Sequence, residues 1–231
     1  MRCAIVHYWL LGMRGGEKVV EGLSRLLPEA DIYTLFYDPE RVSPLIRSRV
    51  VRSSFLNPFR RMYRSLLPLM PMALEAFDLR DYDLVISSES GPAKGVLVSS
   101  QARHICYCHS PMRYLWDLYP AYLHEWTPSI SKRALMMPLT NYLRLWDYAS
   151  ASRVDEFVAN SANVQNRIQC VQRTNLIGRR YARWRELGAV KGWEPVQLPL
   201  QCEQFKPRPG ESDQRTALQR WPNLSTKLSA H

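Results

Sequence analysis

His7-Tyr8-Trp9-Leu10-Leu11-Gly12-Met13-Arg14-Gly15-Gly16-Glu17-Lys18 is the stretch where the chain passes from one hydrophobic pattern to another. Before it, Cys3-Ala4-Ile5-Val6 reads as a short buried strand. After it, Val19-Val20-Glu21-Gly22-Leu23 continues in a helical pattern. A glycine-rich turn between strand and helix lets the backbone come close to a ligand, because glycine has no Cβ. The following helix turns its free N–H groups and positive dipole end toward that turn, which suits a phosphate. The spacing matches neither the dinucleotide fingerprint nor the Walker loop. An ordinary tight turn therefore stays open beside the phosphate reading.

Outward from this stretch, strands and helices alternate. Pro28 ends the first helix, and Asp31-Ile32-Tyr33-Thr34-Leu35-Phe36 reads as a second strand. A short helix over 42–48 and an edge strand around Val50-Val51 follow. Residues 59–77 are apolar, with Arg60, Arg61 and Arg64 at their start. Further strands are predicted over 83–88, 104–108 and 156–159. A helix or turn is predicted over 91–98, and helices from 113, over 131–153 and over 161–168. This order predicts an α/β fold, a Rossmann-like parallel sheet with helices on both faces. Ala4, Ile5, Val6, Leu84, Val85, Ile86, Ile105 and Val158 are expected in its core. Ligands of such sheets sit at the carboxyl ends of the strands, where the chain places the glycine turn, 87–90, 109–113 and Asn160-Ser161. Beyond Ile168 the periodicity deteriorates. The expected organisation is a domain over 1–168 and an irregular, poorly ordered basic tail over 169–231.

Composition sets further bounds. An apolar share of 46% suffices for a real core. No apolar run approaches the ~20 residues that span a bilayer. The start of the chain runs straight into a strand without a signal-peptide pattern, so a cytoplasmic location is expected. Five cysteines spread along the chain do not read as a disulfide framework. The net charge of +10 suggests an anionic partner: nucleic acid, membrane surface or phosphorylated substrate. From Gln169 onward, eleven Arg or Lys stand against five Asp or Glu, so much of that charge belongs to the tail.

Cys108-His109-Ser110-Pro111-Met112-Arg113-Tyr114-Leu115-Trp116-Asp117 is the second informative stretch. His109 leaves a buried strand at the ligand edge, where an imidazole can exchange a proton or donate a hydrogen bond. It can equally cap the strand end. Arg113 and Asp117 lie four apart and can form a helical ion pair. His104, Cys106 and Cys108 share a strand face beside His109, yet ligands in a row do not converge tetrahedrally, so no metal is expected. Glu89 ends a strand as a candidate for sugar hydroxyls or as a solvated carboxylate. Asn160 and Ser161 face the same cleft and also read as a helix N-cap.

Four stretches in this order, GMRGGEKV, DLVISSESGPAKGV, CHSPMRYLWD and FVANSANVQNRI, resemble glycosyltransferase family 4, the retaining nucleotide-sugar enzymes of GT-B fold. The nearest resemblance is to bacterial mannosyltransferases of polysaccharide assembly, and it runs from Met1 to about Ile168. It implies an N-terminal, acceptor-side domain whose glycine turn, Gly15 and Gly16, approaches the donor diphosphate. His109 matches the family's active-site histidine, which contacts the transferred sugar. Glu89, Arg113, Asp117, Asn160 and Ser161 become candidates for acceptor or sugar binding. The implied reaction is hexosyl, in the first instance mannosyl, transfer from a donor such as GDP-mannose to a lipid-linked or polysaccharide acceptor, without metal or other cofactor. Such enzymes work at the inner face of the cytoplasmic membrane. Arg60, Arg61 and Arg64, alternating with apolar residues, suit docking to an anionic interface.

The chain departs from the family after Ile168. About 63 residues remain, too few for the second Rossmann-like domain that binds most of the nucleotide-sugar. Glu186 and Glu194 have the family's E-x7-E spacing, but Glu194 sits in KGWEP, outside the expected setting. The tail reads as a frameshift, a gene fragment or strong divergence, and the chain by itself is expected to transfer little sugar. Two other readings stand beside the enzyme: a folded remnant without activity, and a basic non-enzymatic module for membrane or nucleic acid. The chain shows no recognisable nucleic-acid motif.

Overall fold

The computed structural model describes residues 1–89, 91–116, 118–119, 130–171 and 181–183. The chain divides into two units, Met1–Pro195 and Val196–His231, and all described residues lie in the first.

Seven parallel strands form one sheet: β1 (Cys3–Leu10), β2 (Asp31–Tyr37), β3 (Val51–Ser53), β4 (Leu84–Glu89), β5 (Arg103–Cys108), β6 (Glu156–Ala159) and β7 (Tyr181–Arg183). Their spatial order, β3-β2-β1-β4-β5-β6-β7, reverses direction beside β1. That reversal makes the fold doubly wound, with a crevice at the carboxyl ends of β1 and β4. The helices are α1 (Gly15–Leu26), α2 (Pro44–Arg47), α3 (Met70–Glu75), α4 (Ile130–Ser150) and α5 (Ala162–Val171). The fold is the Rossmann-like α/β sheet expected from the alternation of strands and helices.

Both faces of the sheet are covered, which is why its strands read as continuous apolar runs. Period two sends Ala4 and Val6 to one side, with Tyr33, Leu35, Met70, Ala73 and Leu74. Ile5 goes to the other, with Val20 and Leu23 of α1, Ile32 and Ile46. A third cluster joins Cys106, Cys108 and Phe157 to Val164 and Ile168 of α5. Of the expected core, Ala4, Ile5, Val6, Val85, Ile86 and Val158 are buried. Leu84 and Ile105 are only partly so.

The structure corrects three local expectations and assigns elements to the apolar stretch 59–77, for which none was expected. β1 does not stop at Val6 but continues to Leu10, because Trp9 and Leu10 pair with Phe36 and Tyr37. His7, Tyr8 and Trp9 are therefore strand residues. The apolar stretch after Asn57 is broken into tight turns at Asn57–Met62 and Leu67–Leu69 before α3. Pro58, Pro68 and Pro71 account for the breaks, each lacking an N–H donor. Arg113–Trp116 forms successive turns, with Leu115 N–H donating to the Met112 carbonyl at 2.9 Å. Beyond Ile168, α5 runs on to Val171, and β7 adds a parallel strand where no strand period was legible.

One charged cluster is fully buried. Lys94, on the turn Ala93–Gly95 after β4, bonds Asp147 of α4 and lies 3.6 Å from Glu89. Its backbone N–H donates to the Glu89 carboxylate at 2.8 Å, and the Trp116 indole donates to Asp147 at 2.8 Å. Burial, opposed by the Lys94 charge, pushes the Glu89 carboxyl up to about 7. Two buried histidines flank this layer. Burial holds His7 down to about 3 and His104 to about 4.

Removing one partner of a buried ion pair leaves an uncompensated charge, at a cost of roughly 3–5 kcal/mol. Lys94→Met is expected to destabilise the chain by about that much in urea unfolding. Gly95→Ala is expected to destabilise as well, since a Cβ there would lie 2.1 Å from Trp146 Cζ2.

Acid should also destabilise. Below 6.5 the unfolded histidines take up protons that folded His7 and His104 refuse until about 3 and 4. Their stabilising contribution is therefore lost as pH falls from 6.5 through those values. Glu89 acts the other way between 4.5 and about 7, where the folded chain keeps a proton the unfolded chain has released. Burial holds His109 to about 4 as well, so three groups outweigh one and the urea midpoint should be lower at about pH 4.5 than at about pH 6.5. A midpoint that rises on acidification would contradict this account.

Candidate functional site

The carboxyl ends of β1, β4, β5 and β6 bring the glycine turn, the end of β4, His109 and Asn160 to one edge of the sheet. At the start of α1 the two adjacent glycines have different surroundings. A Cβ on Gly15 would meet nothing within 4 Å, as would one on Gly12. A Cβ on Gly16 would stand 3.1 Å from Cε1 of His7. Gly15 thus leaves room for a ligand, whereas Gly16 lets the helix settle on a buried ring. Lys18 N–H already bonds the Arg14 carbonyl at 3.0 Å. The Glu17 carboxylate folds back to accept the Arg14 N–H at 3.1 Å. Burial raises the Glu17 carboxyl above its ordinary range.

His7 lies fully buried between this turn and β4. Its Nδ1 donates to the Ser88 carbonyl at 2.7 Å, while Nε2 is buried and has no hydrogen-bond partner among the described residues. Ser88 in turn places its hydroxyl 2.9 Å from Nε2 of His109. The His109 backbone N–H donates to the Glu89 carbonyl at 2.7 Å, and its ring packs edge-on against Tyr107 with centroids 5.1 Å apart. Burial lowers His109 to about 4, so its imidazole is neutral at physiological pH.

The other sequence candidates fall into different surroundings. Glu89 is buried and engaged by Lys94, facing neither solvent nor the open edge. Arg113 is exposed, and Asp117 lies outside the described residues, as does Ser90. Ser161 caps α5, its hydroxyl accepting from Val164 N–H at 3.3 Å. Asn160 is half-buried, and its side-chain oxygen is buried with no hydrogen-bond partner among the described residues. His104 is taken up by Ser87 and the Arg153 carbonyl. Among the described residues no three His, Cys, Asp or Glu side chains come together as metal ligands.

A pocket of about 530 Å³ opens beside the glycine turn, between α1 and the turn Asn57–Met62. Trp9 and Tyr63 form apolar walls, and the charged lining mixes Arg14, Arg41, Arg60 and Arg61 with Glu17, Asp38 and Glu40. Arg60 and Arg61 form no ion pair with any described residue. Arg64 instead bonds the Tyr63 hydroxyl at 3.1 Å and lies over its ring. The same segment exposes Phe55, Phe59, Met62, Leu69 and Met72. No helix among the described residues is long and apolar enough to cross a membrane.

Reasoning from sequence placed Ser88 at the ligand edge without its partner His109, and missed the roles of His7, Lys94 and Asp147 and the pocket walls Trp9 and Tyr63. One signal was available: period two puts His7 with Cys3 and Ile5, a polar residue on a face otherwise apolar. Lys94 and Asp147 gave none, because 53 residues separate partners that only the fold brings together.

The model of Glycosyltransferase Family 4 matches residues 13–175, a span that takes in the glycine turn, Ser88, His109 and α5. Among solved structures, the chain is similar to the apo form of the lipopolysaccharide outer core galactosyltransferase WaaB, at 11% identity and a TM-score of 0.36. That alignment covers 74% of this chain and 42% of the other, so the chain spans less than half the length of that structure. None of the curated proteins compared with the chain matches it. With the family model covering more than half of its residues, the chain belongs to glycosyltransferase family 4.

Proposed function

We propose that this chain is the N-terminal, acceptor-side domain of a retaining hexosyltransferase that moves mannose from GDP-mannose to a lipid-linked or polysaccharide acceptor in cell-surface glycan synthesis. The observation that carries this reading is the meeting of an open glycine turn and a neutral histidine at one sheet edge, in a family member. In this reading the backbone amides around Gly15 and Gly16, with the positive end of α1, hold the departing diphosphate. Donors fixed before the reaction need no reorganisation as charge develops on the leaving oxygens. His109 hydrogen-bonds the sugar or acceptor hydroxyl and keeps the reacting atoms in line. No covalent intermediate is assigned, since Glu89 is engaged by Lys94. No metal or other cofactor is assigned either.

The acceptor enters the pocket beside the turn. Arg60 and Arg61 suit a phosphate-bearing group there, and Trp9 and Tyr63 supply flat apolar walls. The exposed Phe59 and Met62, together with Arg60, Arg61 and Arg64, suit the anionic inner face of the cytoplasmic membrane.

Calorimetry with GDP-mannose and other nucleotide-sugars tests the donor assignment. This chain by itself is expected to bind nucleotide-sugars only weakly, through the diphosphate, and micromolar binding would overturn the reading of it as the acceptor-side domain alone. Gly15→Val should weaken that binding at least about tenfold without lowering the melting temperature, because its side chain points into open space. In a complete enzyme that carries the donor domain, His109→Ala should lower turnover about tenfold or more while donor affinity holds. If no nucleotide-sugar binds and the chain instead binds DNA tightly with a steep salt dependence, the basic-module reading replaces this one.

Vesicle flotation tests the membrane contact. Anionic vesicles should retain the protein at low salt, and the triple change Arg60→Glu, Arg61→Glu, Arg64→Glu should weaken binding on the order of a hundredfold. Unchanged binding by the triple variant would remove these arginines from the docking surface.

A further inference from the structure

Two serine–histidine pairs join β4 to β5 and the residue after it, and fix where their protons sit; one of them reaches the site. Proton positions follow from which atoms can receive them. His104 is the closed case. Its Nδ1 lies 3.1 Å from the Arg153 carbonyl oxygen, which can only accept. Nδ1 therefore carries the proton, and Nε2 accepts from the Ser87 hydroxyl 2.9 Å away.

Ser88 repeats this arrangement with His109, Oγ standing 2.9 Å from Nε2. Ser88 is fully buried, and among the described residues its hydroxyl has no other acceptor. A buried donor left without an acceptor carries the whole desolvation cost, so the hydroxyl proton belongs on the line to Nε2. The neutral ring of His109 then keeps its own proton on Nδ1. Where His104 meets a backbone carbonyl, Nδ1 of the half-exposed His109 has no partner among the described residues. Ser88 is itself held from the other side, by the bond from His7 Nδ1 to its carbonyl.

We propose that Ser88 is a positioning residue for His109: its hydroxyl holds the imidazole in the Nδ1–H tautomer, so that His109 offers the cleft a hydrogen-bond donor and not a base. His7, locked under Gly16, fixes the Ser88 backbone and so ties the glycine turn to the histidine. This deepens the transferase reading and rests on it for its meaning. A donor at Nδ1 serves a sugar hydroxyl or a departing phosphate oxygen, and it cannot take the proton of an attacking hydroxyl.

The test is long-range 1H–15N correlation on the full 231-residue chain labelled in histidine, near neutral pH and without ligand. His104 and His109 are both expected to show a protonated Nδ1 and an unprotonated Nε2. Ser88→Ala should shift the His109 tautomer ratio toward Nε2–H by roughly fivefold, the weight of one neutral hydrogen bond. His104 should not change, and Ser88→Thr, which keeps the hydroxyl, should restore the His109 pattern. An Nε2–H tautomer at His109 in the unmodified chain overturns the proposal, as does a Ser88→Ala spectrum identical to it. The unmodified chain decides the matter even where Ser88→Ala fails to fold. Because no sugar is present, a failed donor assay leaves the tautomer standing. A wrong tautomer likewise leaves the transferase reading untouched.

Discussion

The geometry of the site depends on one buried ammonium. Lys94 sits between Glu89 at the end of β4 and Asp147 on α4, and Asp147 also receives the Trp116 indole. An ion taken out of water needs partners in fixed positions, so this arrangement tolerates little movement of any element that supplies one. Three segments distant in sequence are thereby set against each other: the end of β4, the turns after His109, and α4. The lock extends to the backbone. Glu89, whose carboxylate faces Lys94, also gives its carbonyl to the His109 N–H. Gly95, next to Lys94, has no room for a side chain because Trp146 of α4 packs directly on it. Charge and steric contact thus act at the same point on the turn.

From that fixed edge, order passes sideways along the sheet. Residues near the carboxyl ends of the parallel strands lie in register: His7 against Ser88, and Glu89 against Cys108. Hydrogen bonds cross the register from His7 to the Ser88 carbonyl and from the Ser88 hydroxyl to His109. Burial keeps both imidazoles neutral, since a charged ring there would lose its hydration. A line of neutral groups can hold its geometry across the physiological range, which a titrating line would not. Among the described residues, Nε2 of His7 and the side-chain oxygen of Asn160 are left without a hydrogen-bond partner along this edge.

Much of this was legible in the sequence, and the reason is physical. Parallel strands covered on both faces must be apolar throughout, so Ala4-Ile5-Val6 and Leu84-Val85-Ile86 announce themselves. Glycines at a strand-to-helix turn are equally visible, because their role is local. His109 was found for the same reason, as a polar residue just past a buried strand. What failed was everything decided by partners far away in the chain. Glu89 looked like a loop carboxylate because Lys94 and Asp147 cannot be seen as its neighbours from spacing. The end of β1 was placed too early because Trp9 and Leu10 owe their strand conformation to pairing with Phe36 and Tyr37. β7 left no trace in periodicity; its three residues are too few to establish an alternation.

The two glycines of the turn show how fold and chemistry divide the work. At Gly16 the missing side chain is required from within: a Cβ would press on His7, and His7 could not shift without breaking its bond to Ser88. At Gly15 nothing in the protein forbids a side chain, since the space beyond it is empty. A glycine in the first turn of a helix weakens it relative to alanine through backbone entropy, by roughly 0.5–1 kcal/mol. Packing answers for that penalty at Gly16 but not at Gly15. What remains at Gly15 is the external side of the turn, where the first amides of α1 are reachable only by a group that comes close to the backbone. The internal constraint fixes the direction of α1 over His7, and the external opening lets that direction be used.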